Sequence, residues 1–355
     1  MSIIVAILVF LVLVTIHEFG HFIVAKWAGI KVNEFAVGMG PAIFKKQKGE
    51  TLYSLRSFPL CGYCAMEGED EDSSDERSFD NAKAYKRLVV ILAGAFMNIV
   101  LAILAFLIVN MQSGYTDLRI DKIEADSPAY IAGIQENDEI ISYNGKKPLL
   151  FLELRNMIIN SNNESDTLRV KRDGELIDIE VKPELATIED DGQVIEYKKL
   201  GIMPKVSYDF LGSFKESINT CRYAYRSMFE FLGRAFKGKV KKNEVSGPVV
   251  IIKTISSAAK VGFSSVMFLL GLISINLAFF NLLPFPALDG GKAVFILFEM
   301  ITGIKPNKKV EYIVNIIGFS LLMLLFLFVT YNDIKGLIKW QLERKQKKYL
   351  LAMLL

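Results

Sequence analysis

Four long apolar windows, a mean hydropathy of +0.32 beside 23% charged residues, and a polar stretch of β-type runs between the second and third windows set the fold class. Together they predict a polytopic α-helical membrane protein of about four transmembrane helices, with a small α+β domain inserted between them. Hydrophobic residues reach 52%, so apolar spans alternate with ordinary soluble segments. The net charge is only +3, from 42 Lys plus Arg against 39 Asp plus Glu, which leaves no broad basic field and excludes nucleic acid as a partner.

The first window, residues 1 to 27, reads as a transmembrane helix and holds the chain's only two histidines, His17 and His21. They flank Glu18 as His-Glu-x-x-His. On a helix, positions i and i+4 lie about 40° apart on one face, so both imidazoles can reach a single zinc ion while the glutamate holds a metal-bound water. A charged side chain at this depth costs about 2.5 to 3.5 kcal/mol, so the group needs a partner or a purpose. Mere pairing with neighbouring helices would leave the spacing of the only histidines unexplained. The window has no basic n-region and no small-residue cleavage site, and therefore reads as a retained span rather than a cleaved signal.

A second window covers residues 88 to 110, a third span runs over 262 to 292, and a fourth over 308 to 331; each contains about the 20 apolar residues that a crossing needs. Four crossings put both termini on one side. Lys26, Lys31, Lys83, Lys86, Arg87, Lys305, Lys308 and Lys309 favour the cytoplasm for the segments they occupy, which puts residues 111 to about 245 outside. Lys237, Lys239, Lys241 and Lys242 run against that assignment. So does the tail, residues 332 to 355, where Arg344, Lys345, Lys347 and Lys348 mix with Leu337, Ile338, Trp340 and Leu342; it reads as an amphipathic basic surface on anionic headgroups.

Residues 111 to 205 form the inserted domain. The runs LRIDKI, DEIISYN, TLRVKR and LIDIEVK read as strands, Asn144-Gly145 and Asp173-Gly174 as turns, and residues 151 to 159 as a helix. Residues 125 to 145 resemble the PDZ domain in its bacterial form, a fold that takes peptides by adding a strand to a sheet edge; a compact spacer is the plain alternative. Residues 206 to 261 follow as an amphipathic helix, with Phe, Leu, Met and Tyr at helical spacing over 210 to 236, and a linker.

Two histidines leave a zinc site one ligand short. Asp and Glu oxygens serve as well, and three protein ligands suffice when one position stays open for water. In Asn281-Leu-Leu-Pro-Phe-Pro-Ala-Leu-Asp289-Gly, two prolines break the third span and Asp289 follows an apolar run. Freed backbone at that depth is tolerated where it is buried in protein or lines a wet cavity, which marks a functional cleft. An Asp-Gly turn at a helix end is the plainer reading of the same residues.

His17-Glu18-Phe19-Gly20-His21 together with residues 281 to 290 resembles the paired motif of the site-2 protease family of intramembrane zinc metalloproteases. With one PDZ-like domain between the second and third spans, the chain is similar to the bacterial branch that regulates sigma factors. The resemblance implies Zn2+ held by His17, His21 and Asp289, Glu18 as the base, and Asn281 donating to substrate or oxyanion. Within residues 28 to 87, the stretches 33 to 44 and 58 to 69 resemble the family's membrane-associated β hairpin and edge strand ahead of a cytoplasmic loop. Gly38, Gly40, Gly62 and Tyr63 are there the implied substrate-binding positions. The implied partners are the lipid bilayer and membrane-protein substrates with a single transmembrane segment, of the anti-sigma-factor or signal-peptide-remnant type; the oligomeric state stays open. The implied location is the bacterial plasma (inner) membrane, with the PDZ-like domain on the extracytoplasmic side.

Cys61 and Cys64 are edge-strand positions in this reading, not a redox pair, since no thioredoxin-like pattern surrounds them. The acidic run from Glu67 to Glu76 reads as a solvated loop. Two other classes fit parts of the chain: an ion or proton transporter relaying through His17, Glu18, His21 and Asp289, which the lack of a repeated half disfavours, and a silent scaffold binding peptides through the PDZ-like domain.

Overall fold

The computed structural model describes residues 2–69, 73–190, 193–240, 245 and 247–354. They form two compact units, one of Met1–Ala102 with Met228–Leu355 and one of Ile103–Ser227.

The first unit begins with helix α1 (Ser2–Ala28). Its buried positions, Ala6, Val9, Leu13, His17, His21, Ala25 and Ala28, recur every three or four residues, so one stripe faces protein while Ile4, Leu8, Val12 and Ile23 point outward. Strands β1 (Val32–Lys48) and β2 (Thr51–Met66) follow. Both strands fold back: residues 44 to 48 of β1 pair antiparallel with the start of β2, while Phe35 faces Cys64 in antiparallel register on one side and Tyr53 in parallel register on the other. Helix α2 (Ala84–Ser113) then leads toward the second unit. In the acidic run, Asp70, Glu71 and Asp72 lie outside the described residues, and Glu67 and Asp75 are not simply solvated: Lys31 Nζ lies 3.4 Å from Glu67 and 3.0 Å from Asp75.

The second unit holds strand β3 (Tyr115–Ile123), the short helix α3 (Pro128–Ile131), strand β4 (Glu139–Tyr143), helix α4 (Phe151–Ile159), strands β5 (Asp166–Arg172), β6 (Glu175–Val181), β7 (Glu184–Asp190), β8 (Gln193–Lys199) and β9 (Ile202–Ser207). The main sheet has the order β6-β5-β4-β3-β9, with β7 and β8 as a separate hairpin. Its core is Ile120 of β3, Ile140 of β4, Leu168 and Val170 at alternate positions of β5, and Leu200 just before β9, closed by Leu154 on one face of α4. The sheet reaches residue 207 because β9 lies against β3 through pairs such as Thr116 with Val206. Helix α5 (Phe210–Phe236) carries an inward stripe of Ser213, Ser217, Cys221 and Ala224. Arg226 of α5 pairs with the buried Glu153 of α4, and Asn156 donates to Tyr223 at 3.1 Å.

The chain returns to the first unit through helices α6 (Pro248–Val261), α7 (Phe263–Leu282), α8 (Asp289–Thr302) and α9 (Lys308–Leu354). Among the described residues, four helices are long and apolar enough to cross a membrane: Ile3–Ala28, Ala84–Ser113, Phe263–Leu282 and Lys308–Gly336.

The structure bears on three expectations. The span read over 262 to 292 with its proline break is two helices, α7 ending at Leu282 and α8 starting at Asp289. Pro284 and Pro286 remove two amide donors between them, and Ala287 is left-handed at φ +70°. The stretch expected to follow α5 as a linker contains α6, whose first turn is fixed by Pro248 and by Asp333 of α9, which accepts from Gly247 N at 3.0 Å and Val250 N at 3.1 Å. The fourth span and the tail are one continuous helix through residue 331. The drop in hydropathy there changes what surrounds the backbone, not its hydrogen bonding. Of the side chains named for the tail's amphipathic surface only Ile338, which is exposed, is described; the others lie outside the described residues, and so do Lys241 and Lys242.

Candidate metal centre

The centre is built where α1 crosses α2. A Cβ added at Gly20 of α1 would lie 2.4 Å from the Ala93 carbonyl oxygen, and one added at Gly94 of α2 would lie 2.3 Å from His21 Nε2 and 2.7 Å from His17 Cε1. Only glycine at both positions lets the helices close this far and leaves room for two imidazole rings beside the second. The rings meet edge to face with centroids 4.8 Å apart.

Their orientation is set from α2. His21 Nδ1 lies 2.9 Å from the carbonyl oxygen of Val90. A carbonyl only accepts, so Nδ1 carries the proton and the Nε2 lone pair faces the centre. His17 Nδ1 lies 3.2 Å from the side-chain amide of Asn98, a fully buried residue. Ser274 of α7 donates to the Asn98 carbonyl at 2.8 Å and ties the third helix to this level.

Asp289 arrives from the other direction. The proline-broken segment turns back sharply: a Cβ on Gly290 would lie 2.1 Å from the Leu283 oxygen, and one on Gly291 2.4 Å from the Phe285 oxygen. This tight return starts α8 with an aspartate in its first turn, where exposed amide groups favour a negative charge. Asp289 Oδ2 stands 3.1 Å from His17 Nε2 and 3.6 Å from His21 Nε2, and the two Nε2 atoms are 3.2 Å apart. One ligand atom from each of the three residues fits within 4.8 Å. Asp289 Oδ2 is buried and receives no hydrogen bond. An orphaned carboxylate oxygen converging with two imidazole nitrogens is a donor set that a zinc ion satisfies, so the residues fit that metal.

Glu18 lies one residue beyond His17 on α1, with the backbone of Cys64 in β2 near its carboxylate. Gly62 is close by, since a Cβ there would be 3.7 Å from Glu18 Cγ. The second half of β2 therefore runs beside the glutamate. Asn281, in the last turn of α7, brings Nδ2 to 3.4 Å from His17 Nε2.

The other expected substrate positions have their partners within the hairpin. Gly38 and Gly40 have φ +87° and +83°, and a Cβ on either would strike Phe58. Tyr63 sits under the Arg56 guanidinium, 5.1 Å from ring centroid to Cζ, and its burial and the Glu34 carboxylate push the phenol up to about 12. Cys61 and Cys64 are free thiols. Sequence reasoning missed Gly94 and Val90, which touch the histidines only through the crossing of two helices.

Two imidazoles and a glutamate on one long apolar helix, met by a carboxylate from the start of α8, make a donor set of the kind that metal-dependent hydrolases use. The chain belongs to peptidase family M50, the site-2 protease family, whose sequence profile matches residues 5–325, and it is a polytopic membrane peptidase. Relatives match over nearly their whole length. A protein of Clostridium acetobutylicum named "Putative zinc metalloprotease" is 37% identical over 336 residues, 94% of this chain and 97% of the relative. One of the same description from Clostridium perfringens is 38% identical over 337 residues, covering 94% and 98%. Zinc metalloprotease RasP of Oceanobacillus iheyensis is 31% identical over 417 residues, covering 93% and 98%.

Proposed function

We propose that the protein is a zinc-dependent intramembrane endopeptidase that cuts peptide bonds within the transmembrane segments of single-span membrane proteins, in regulated intramembrane proteolysis. The observation that carries this reading is the convergence of His17, His21 and Asp289 within 4.8 Å, next to Glu18 on the same membrane helix. Zinc metalloproteases among the relatives support the choice of metal.

In this reading His17, His21 and Asp289 hold the ion. Bound zinc supplies a Lewis acid that polarises a carbonyl and lets water ionise near neutral pH. Glu18 takes the proton of the attacking water and returns it to the leaving amine. Asn281 Nδ2 donates to the carbonyl oxygen as charge develops there. The substrate helix must unwind locally first, because its carbonyls are otherwise engaged within the helix. The second half of β2, beside Glu18, offers main-chain groups to the extended segment, with Gly62 and Tyr63 at its start and Gly38 and Gly40 shaping the hairpin behind it.

The finer assignments belong to the same proposal. Residues 111 to 205 act as a PDZ-like domain on the extracytoplasmic side of a bacterial plasma membrane, and the substrates are of the anti-sigma-factor or signal-peptide-remnant type. The test uses the full chain in proteoliposomes with a membrane-embedded peptide and a metal assay. Stoichiometric zinc, with cleavage lost in Glu18→Gln while zinc is retained, supports the peptidase. Folded wild-type protein without zinc would sink it, and peptide binding indifferent to Glu18 would favour the scaffold.

A further inference from the structure

We infer that Asn98 is a positioning residue for the metal: its side-chain oxygen accepts the Nδ1 proton of His17 and thereby fixes the tautomer whose Nε2 can bind zinc. The inference rests on the zinc reading above. Asn98 is fully buried in α2, and the structure sets its Nδ2 3.2 Å from His17 Nδ1. Nε2 of the same ring faces Asp289 Oδ2 at 3.1 Å and His21 Nε2 at 3.2 Å. A neutral imidazole carries one proton. Nδ2 facing Nδ1 in this way would donate to that atom, the proton would sit on Nε2, and the ring could not ligate.

The two ends of a carboxamide have nearly the same shape, so turning the group by half a circle exchanges Nδ2 for Oδ1 with nothing else displaced. With the amide nitrogen toward the ring, Oδ1 is buried without a partner. Turning it leaves the nitrogen end in that place instead, so burial does not choose between the two. The metal chooses. With Oδ1 toward the ring, His17 gains from Asn98 what His21 already has from the Val90 carbonyl at 2.9 Å, an obligate acceptor behind the ligating nitrogen. α2 then supplies the outer partner of both histidines, 8 residues apart on one helix.

The test is a zinc competition titration of the full-length protein in detergent against a chromogenic chelator, with the absorption spectrum of the cobalt-substituted protein. Asn98→Leu fills similar space without an acceptor, and Asn98→Asp can only accept when ionised. Zinc affinity is expected to fall about 10- to 100-fold in Asn98→Leu and to stay within a few-fold of wild type in Asn98→Asp, which also keeps the cobalt spectrum. Leu binding zinc like wild type overturns the inference. So does a tenfold or greater loss in Asn98→Asp, an outcome that decides even where Asn98→Leu fails to fold. Wild-type protein that binds no zinc instead overturns the metal reading beneath it, and the two failures are distinct.

Discussion

Gly94 lies against His21 so closely that a Cβ added to it would stand 2.3 Å from Nε2. No real Cβ contact is that short, and the obstacle is the ligating atom itself. Gly94→Ala should leave α2 intact, since alanine favours a helix interior by about 1 kcal/mol over glycine. The expected outcome is zinc affinity reduced at least tenfold, with a melting temperature in the presence of chelator that is undiminished relative to wild type. Gly20→Ala makes the contrast: its Cβ meets the Ala93 backbone oxygen at 2.4 Å, so the helices themselves must part and the melting temperature should fall as well. A Gly94→Ala protein with wild-type zinc affinity would show that the rings do not occupy this corner.

The two histidines were visible in the sequence because spacing along one helix is a local property. Asp289 was visible for another reason, as an acid beside two prolines in an apolar span. Gly94, Val90 and Asn98 act through the crossing of α1 and α2, which no spacing within either helix records. Hydropathy also misled where it stood for backbone: it suggested an end near residue 331, although α9 runs on to Leu354. The same substitution of solvent for geometry hid α6. In the inserted domain the strand runs were legible from alternation, but β9 was not, because its place at the sheet edge comes from pairing with distant β3.

Because His17 and His21 come from α1 and Asp289 from α8, a shared ion ties two helices together. Binding that is absent from the unfolded chain stabilises by about 2.7 kcal/mol when free metal exceeds Kd about 100-fold. Chelation should therefore lower the melting temperature of the full chain by a few degrees. The Asp289→Asn variant should melt alike with and without chelator. A wild-type melting curve indifferent to chelator and zinc would count against a bound ion bridging these helices.

Gly318 of α9 touches the proline-broken segment: a Cβ there would lie 2.4 Å from Pro286 Cβ and 2.6 Å from its oxygen. Asn315 of α9 accepts from Ala287 N at 3.2 Å. Gly318→Ala must push this segment, and Asp289 begins the helix immediately after it. Misplacing a reacting group by about 1 Å can cost 100-fold in rate, so turnover should fall about 10- to 100-fold although the substitution is far from the ligand in sequence. Gly336→Ala is the control, on the same helix with nothing within 4 Å of the added Cβ, and should leave turnover unchanged.

Acid should loosen the second unit at a carboxylate remote from the metal centre in sequence. Burial alone would raise the Asp166 carboxyl, but hydrogen bonds from Tyr143, Asn144, Ser161 and Asn163 hold it below its ordinary 3.8. The last three measure 2.6, 2.7 and 3.0 Å, and the residue is 1% exposed. A carboxylate with a depressed folded-state pKa contributes stability that is fully present above its unfolded value and is lost as pH falls through the folded one. Protection of residues 103–227 from hydrogen exchange in the full chain should thus be flat near neutrality and decline below about pH 4. Asp166→Asn cannot accept from four donors, so it should lose about 2 to 3 kcal/mol at neutral pH and show a shallower acid decline. An acid decline as steep as wild type in Asp166→Asn would assign the loss to other carboxylates of the domain.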